Sequence, residues 1–253
     1  LCCGKDLRVE RTATGKRLLV DSHGQHYDVT EDEILVGVGR SPNVEGLGLE
    51  TIGVEYDKTG VKVNDRLQTT NPRIYAAGDI CSRYKFTHAA DAMAQIVIQN
   101  ALFPHPFGLG YASMESLIMP WCTFTEPEIA HVGLYEADAK KKGLEIETYT
   151  YKLGEVDRAI LDGEQEGFAR IHIQKGTDKI LGATIVAAHA GDLISEFSVA
   201  MKAGAGAKTI VATLHPYPTR VEDHQKVVNL WRKAHFTART KMLLTRLFAW
   251  LRR

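Results

Sequence analysis

The sequence predicts two folded parts in tandem, an α/β segment followed by an α+β domain. Three observations carry that reading. First, the apolar run Ile74-Tyr75-Ala76-Ala77 ends in Gly78-Asp79 and is followed by a helical pattern over residues 88–100. That strand–turn–helix order suits an α/β unit whose glycine turn meets a ligand. Second, composition changes near residue 114, beyond which strand patterns come first and helical patterns after, as in an α+β domain. Third, 253 residues are enough for about two domains with cores of their own.

Composition narrows the function classes. Lysine and arginine number 31, and aspartate and glutamate 31, so no net field draws the chain to nucleic acid. No apolar run is as long as a membrane span. Cys2, Cys3, Cys81 and Cys122 show neither zinc-ligand spacing nor a C-x-x-C pair, so no metal site is expected. The adjacent pair Cys2-Cys3 bridges only with strain, and all four read as reduced thiols of a cytoplasmic protein. Leu1-Cys2-Cys3-Gly4 is neither a signal peptide nor a natural start, and a fragment of a longer protein is expected.

Taken in order, Leu7-Arg8-Val9, residues 17–20 and residues 25–29 read as strands, separated by turns at residues 13–16 and 22–24 at hairpin spacing. Residues 33–39 form an apolar stretch read as a strand ending in glycines. Gly37-x-Gly39 is no dinucleotide fingerprint, because a third glycine is missing and Pro42 stands where a helix would begin. A turn at residues 57–60 and a strand at 61–63 precede the Gly78-Asp79 motif. The Ala-rich helix from His88 and Ala89 is stopped by Pro104 and Pro106. Residues 117–124 suggest an edge or bulged strand, since Pro120 interrupts them. A short helix over residues 136–142 closes on Gly143. Strands follow at residues 145–152, 167–174 and 180–187, then an amphipathic helix over 192–203 and a shorter one from Ala207.

Two stretches remain. In residues 214–222, Pro216 and Pro218 flank Tyr217, which makes a rigid loop between helices; His215 and Glu222 lie within it. Beyond Asp223 no acidic residue occurs, while eight basic ones do. Apolar residues recur there at helical spacing, Trp231, Ala234, Ala238, Met242, Leu247 and Leu251 among them. Residues 227–253 are therefore expected to form a basic amphipathic helical tail. It either lies on an anionic membrane surface or packs along its own dimer.

Together these motifs resemble the pyridine nucleotide-disulfide oxidoreductases, the family of glutathione reductase, dihydrolipoamide dehydrogenase and mercuric reductase. Residues 69–79 look like the family's second flavin motif. The resemblance implies that Gly78 and Asp79 meet the ribityl chain of FAD, and that His88 and Ala89 offer main-chain groups near the flavin. Gly39-Arg40-Ser41-Pro42-Asn43 is similar to the sequence that returns the family's chain from its NAD(P)H domain to its FAD domain. The implied layout is a β-rich NAD(P)H-domain remnant at 1–38 and the last part of a Rossmann-like, three-layer FAD-binding domain at 39–113. An α+β dimerisation domain at 114–226 and the tail complete it.

Aligning Pro218-Thr219 and Glu222 with the family's last loop puts Tyr217 where dithiol-reducing members carry an acid–base histidine. Glu222 becomes its orienting carboxylate, and His215 falls two residues earlier. A tyrosine titrates near 10 and a histidine near 6.5, so Tyr217 suits hydrogen-bond donation rather than proton transfer. Mercuric reductase has a tyrosine here, but also a tail cysteine pair that this chain lacks. Neither G-x-G-x-x-G fingerprint nor the family's C-x4-C pair occurs. The resemblance thus implies the C-terminal half of an FAD- and NAD(P)H-dependent homodimeric enzyme, inactive alone, with a small-molecule or metal-ion acceptor. The alternatives are a dihydrolipoamide dehydrogenase- or glutathione reductase-like enzyme, and a non-catalytic dimerisation or membrane-peripheral module.

Overall fold

The computed structural model describes residues 4–252; the expectation for Cys2 and Cys3 lies outside them. The backbone divides into two units, residues 1–43 and residues 44–253.

The first unit is an antiparallel meander of β1 (Lys5–Arg11), β2 (Lys16–Ser22) and β3 (Gln25–Glu31). The β2–β3 turn uses His23 and Gly24 at φ 52° and 77°, the left-handed pair that matches the twist of a two-residue hairpin. Arg17 grips Asp28 across the ladder with two bonds of 2.8 and 2.6 Å. The strand expected at 33–39 is not formed. Leu35, Val36 and Val38 are exposed, and the described sheet ends at β3, leaving this apolar run without a neighbour to pair with.

In the second unit, the two-residue strands β4 (Tyr56–Asp57) and β5 (Gly60–Val61) pair with each other. The strand expected at 74–77 is extended backbone with a single bridge, Gln68 to Tyr75. It has a partner on one side only. Helix α1 (Thr87–Leu102) runs two residues past the expected end and buries Ala89, Met93 and Ile96 against Leu67.

The α+β part is built on a five-stranded antiparallel sheet of β6 (Pro120–Thr123), β7 (Glu128–Gly133), β8 (Ile146–Lys152), β9 (Phe168–Gln174) and β10 (Ile180–Ala187), in the order β6-β7-β10-β9-β8. Pro120 opens the edge strand β6, where its missing N–H is harmless. Short helices α2 (Glu136–Lys141), α3 (Asp157–Asp162) and α5 (Ala207–Ala212) connect the layers. Helix α4 (Ala190–Lys202) covers β6, β7 and β10, and α6 (Glu222–Ala234) covers β8 and β9. Phe197 of α4, fully buried, meets the ring of His224 on α6 at 4.5 Å, so the two helices touch at this pair.

The tail boundary differs from expectation. Helix α6 runs across residue 227, and Val227, Val228 and Trp231 join the core. Their apolar stripe fits β8 and β9 and is no free membrane face. Only α7 (Ala238–Leu251), set off by a turn after Ala234, stands apart.

The contrast between buried and exposed apolar groups sets a stability test on this chain. Phe197→Ala should lower the unfolding free energy by about 3–5 kcal/mol. Leu35→Ala, at a side chain 99% exposed, should stay within about 0.5 kcal/mol. Denaturant melts in which both variants behave alike would refute this placement of the core.

Candidate functional site

The predicted residues fall into two clusters. The first lies at the start of α1. Gly78 takes φ +81°, and a Cβ there would stand 3.1 Å from the Cβ of Ala90, so a side chain would crowd the helix. Its N–H points at Met93 Sδ, 3.2 Å away. Asp79 follows in a helical turn of residues Gly78–Ile80, and Lys85 donates from Nζ to the Asp79 carbonyl. No side chain caps α1. The main-chain donors of its first turn therefore lack the usual side-chain acceptor, which is the arrangement that receives polar ligand atoms at a helix N-terminus.

His88 is exposed, stacks on Phe86 at 5.3 Å, and hydrogen-bonds from Nε2 to the Pro120 carbonyl at 2.8 Å. Ala89 is fully buried. Its side chain packs the helix start.

The second cluster holds the loop between α5 and α6. Tyr217 is 69% exposed, and its hydroxyl donates to Asp157 Oδ2 at 2.6 Å. That hydrogen bond holds the phenol above its ordinary value. Glu222 does not orient the loop. It opens α6 and pairs with Lys226 one turn on at 3.1 Å, while Val221 occupies the cap position without a side-chain bond.

The orienting carboxylate is Glu196 of α4. One of its oxygens takes His215 Nε2 at 3.0 Å and the other His224 Nδ1 at 2.7 Å. Burial pushes the Glu196 carboxyl up, but the bonds from His224 and His215 outweigh it and hold the group below the usual range. His215 is thereby turned inward. Its side chain is 8% exposed, so it anchors the loop and does not face a substrate. At the far end of the loop, Arg220 reaches Asp162 at 2.9 Å and Glu164 at 2.7 Å.

Sequence reading missed Glu196, Asp157 and His224. The one available signal for Glu196 was a carboxylate set among Leu193, Ile194 and Phe197 on a helix that buries that face. Among the described residues no group of three or more metal-ligating side chains forms a metal site. Cys81 and Cys122 are free thiols, and burial pushes Cys81 up to about 11.

Asp223, next to this cluster, is fully buried and neither carboxylate oxygen has a hydrogen-bond partner. Burial pushes it up to about 6. An acid whose folded value lies above its unfolded value, about 3.9, favours the fold below the unfolded value and loses that contribution as pH rises to the folded one. Asp223→Asn should therefore match the parent near pH 4 and exceed its stability by up to about 3 kcal/mol above pH 6. Unfolding curves that run parallel across that range would contradict it.

Comparison with known proteins places both clusters in one family. Residues 6–94 match the pyridine nucleotide-disulphide oxidoreductase model, and residues 119–228 match the dimerisation domain of the same family. Mercuric reductase of Staphylococcus aureus is 37% identical over 216 residues, 85% of this chain and 39% of that protein. Dihydrolipoyl dehydrogenase of Bacillus subtilis is 35% identical over 212 residues, 83% of this chain and 44% of that protein. The chain thus spans less than half the length of these curated relatives. In fold it is similar to the HOCl-induced flavoprotein disulfide reductase RclA of Escherichia coli, with a TM-score of 0.75 and 24% identity over 88% of this chain and 50% of that one. LpdA of Mycobacterium tuberculosis gives a TM-score of 0.77 at 24% identity, covering 90% and 48%. With a partial Rossmann-like flavin domain followed by a dimerisation domain, the chain belongs to the pyridine nucleotide-disulphide oxidoreductases, a family that uses FAD with NAD(P)H as substrate.

Proposed function

We propose that this chain is the C-terminal half of an FAD- and NAD(P)H-dependent oxidoreductase resembling mercuric reductase. It acts as a cytoplasmic homodimer on a metal ion or another small acceptor. The observation that carries the reading is Tyr217, an exposed phenol on an anchored loop. A phenol already holds its proton at neutral pH and the bond to Asp157 raises it further, so the group does not shuttle protons. It contacts an acceptor through its oxygen, or donates to it on releasing Asp157. A dithiol acceptor, which needs a group titrating near neutrality, fits this loop less well.

The Gly78-Asp79 turn and the uncapped start of α1 fit the polar rim of a flavin. In this reading Asp79 accepts from ribityl hydroxyls, and the first turn of α1 supplies main-chain donors beside His88. FAD, when bound, supplies the two-electron carrier between NAD(P)H and the acceptor. The half-buried, unpaired thiols of Cys81 and Cys122 support a reducing compartment. The α+β domain supplies the dimer contact, and the chain by itself is inactive, because the rest of the flavin site and the redox cysteines are contributed by residues outside it.

In the longer polypeptide, Asp79→Ala should weaken flavin binding by about ten- to a hundredfold, the loss of a charge-assisted bond. Flavin fluorescence released on dilution measures it, and unchanged occupancy would remove Asp79 from the site. The chain purified by itself should stay colourless.

Tyr217→Phe in the same polypeptide should slow the oxidative half-reaction by roughly tenfold while flavin reduction by NAD(P)H is untouched. Stopped-flow traces of both half-reactions give the answer. A wild-type oxidative rate would make the loop merely structural.

A further inference from the structure

The family match ends at residue 228, and α7 lies beyond it. Apart from half-buried Leu244, every residue of α7 is exposed, so the chain itself covers almost none of this helix. At 100° per residue, Leu243, Leu244, Leu247, Phe248, Trp250 and Leu251 fall on one side of it. Thr240 alone interrupts that side, and its hydroxyl is engaged with Thr237, the N-cap, at 3.0 Å.

The cations are placed with equal regularity. Lys241 borders the apolar side on one edge, and Arg239 and Arg246 border it on the other. No acidic residue occurs anywhere after Asp223. Long cationic side chains at both edges of an apolar face can lay their stems along it and lift their charges to a polar layer.

We propose that α7 is a docking helix for an anionic lipid membrane surface. It lies in the interface, its apolar side among the acyl chains and Arg239, Lys241 and Arg246 at the headgroup phosphates. Charge complementarity selects this occupant. A second copy of α7 would set cation against cation, with no carboxylate in the helix to relieve the repulsion. Over its described 14 residues α7 rises about 21 Å, less than the roughly 30 Å of hydrocarbon that a crossing helix spans. The proposal adds a location to the reductase reading and does not depend on it, since no flavin or acceptor residue is involved.

The test is co-sedimentation of the whole chain with phosphatidylcholine vesicles, with and without phosphatidylserine. Binding should require the anionic lipid and weaken with salt. It should fall roughly fivefold for each cation removed in Arg239→Gln, Lys241→Gln and Arg246→Gln, and be lost in Leu247→Asp. Trp250 is 69% exposed whereas Trp231 is 6% exposed, so a blue shift of tryptophan emission on binding should vanish in Trp250→Phe. Equal binding to neutral vesicles, or none to either kind, overturns the proposal. So does a larger oligomer in light scattering that Leu247→Asp dissolves, which would make α7 a self-pairing helix.

Discussion

A single carboxylate, Glu196, holds the second cluster in place. It sits partly buried on α4 and spends one oxygen on the loop, through His215, and the other on α6, through His224. Desolvation works against the charge, and two hydrogen bonds offset it. The next residue, Phe197, fills the core and meets the ring of the same His224 at a tilt of 54°. One turn of α4 therefore couples apolar packing to loop position. Losing the carboxylate would leave two inward-facing imidazoles without an acceptor, a larger cost than the bonds themselves contribute.

The loop is tied from a second side by α3. Tyr217 bonds to Asp157 at its start, and Arg220 pairs with Asp162 at its end. Single contacts near the surface, such as this hydrogen bond and this part-buried ion pair, contribute little stability one at a time. Their effect here is positional, because three anchors along one short loop restrict an exposed tyrosine to a narrow range of directions. Rigidity before binding lowers the cost of bringing the Tyr217 oxygen to a ligand, although its hydrogen is shared with Asp157 and donation to that ligand has to exchange that bond.

What was legible in the sequence follows from how far each signal is local. The first two hairpins, α1, α4 and the edge position of β6 were readable, since alternation, helical spacing and Pro120 act within a few residues. Strand β7 was not. Ala130, His131 and Val132 are all buried in succession, with His131 held by Thr184 at 2.9 Å, so no alternation marks it. Residues 33–39 had the composition of a strand but no neighbour in the described sheet, and composition alone cannot supply one. At the site, Gly78-Asp79 and the Tyr217 loop were visible as motifs. The partners Glu196 and Asp157 were not, because they come from other elements and are brought in only by α4 and α3 packing.

Two of the exposed apolar surfaces on this chain have different origins. Leu35, Val36 and Val38 lie inside the region matched to the family, in a short run of strand-like residues bounded by glycine. Their exposure is that of an unpaired strand, and in the proposed longer enzyme a neighbouring strand would cover them. Helix α7 lies outside the match, satisfies its own backbone, and carries cations along the borders of its apolar side. A strand in want of a partner needs main-chain hydrogen bonds, which another protein segment provides. A self-sufficient helix with a cationic rim needs only an apolar medium beneath a layer of negative charge. The two surfaces therefore call for different occupants.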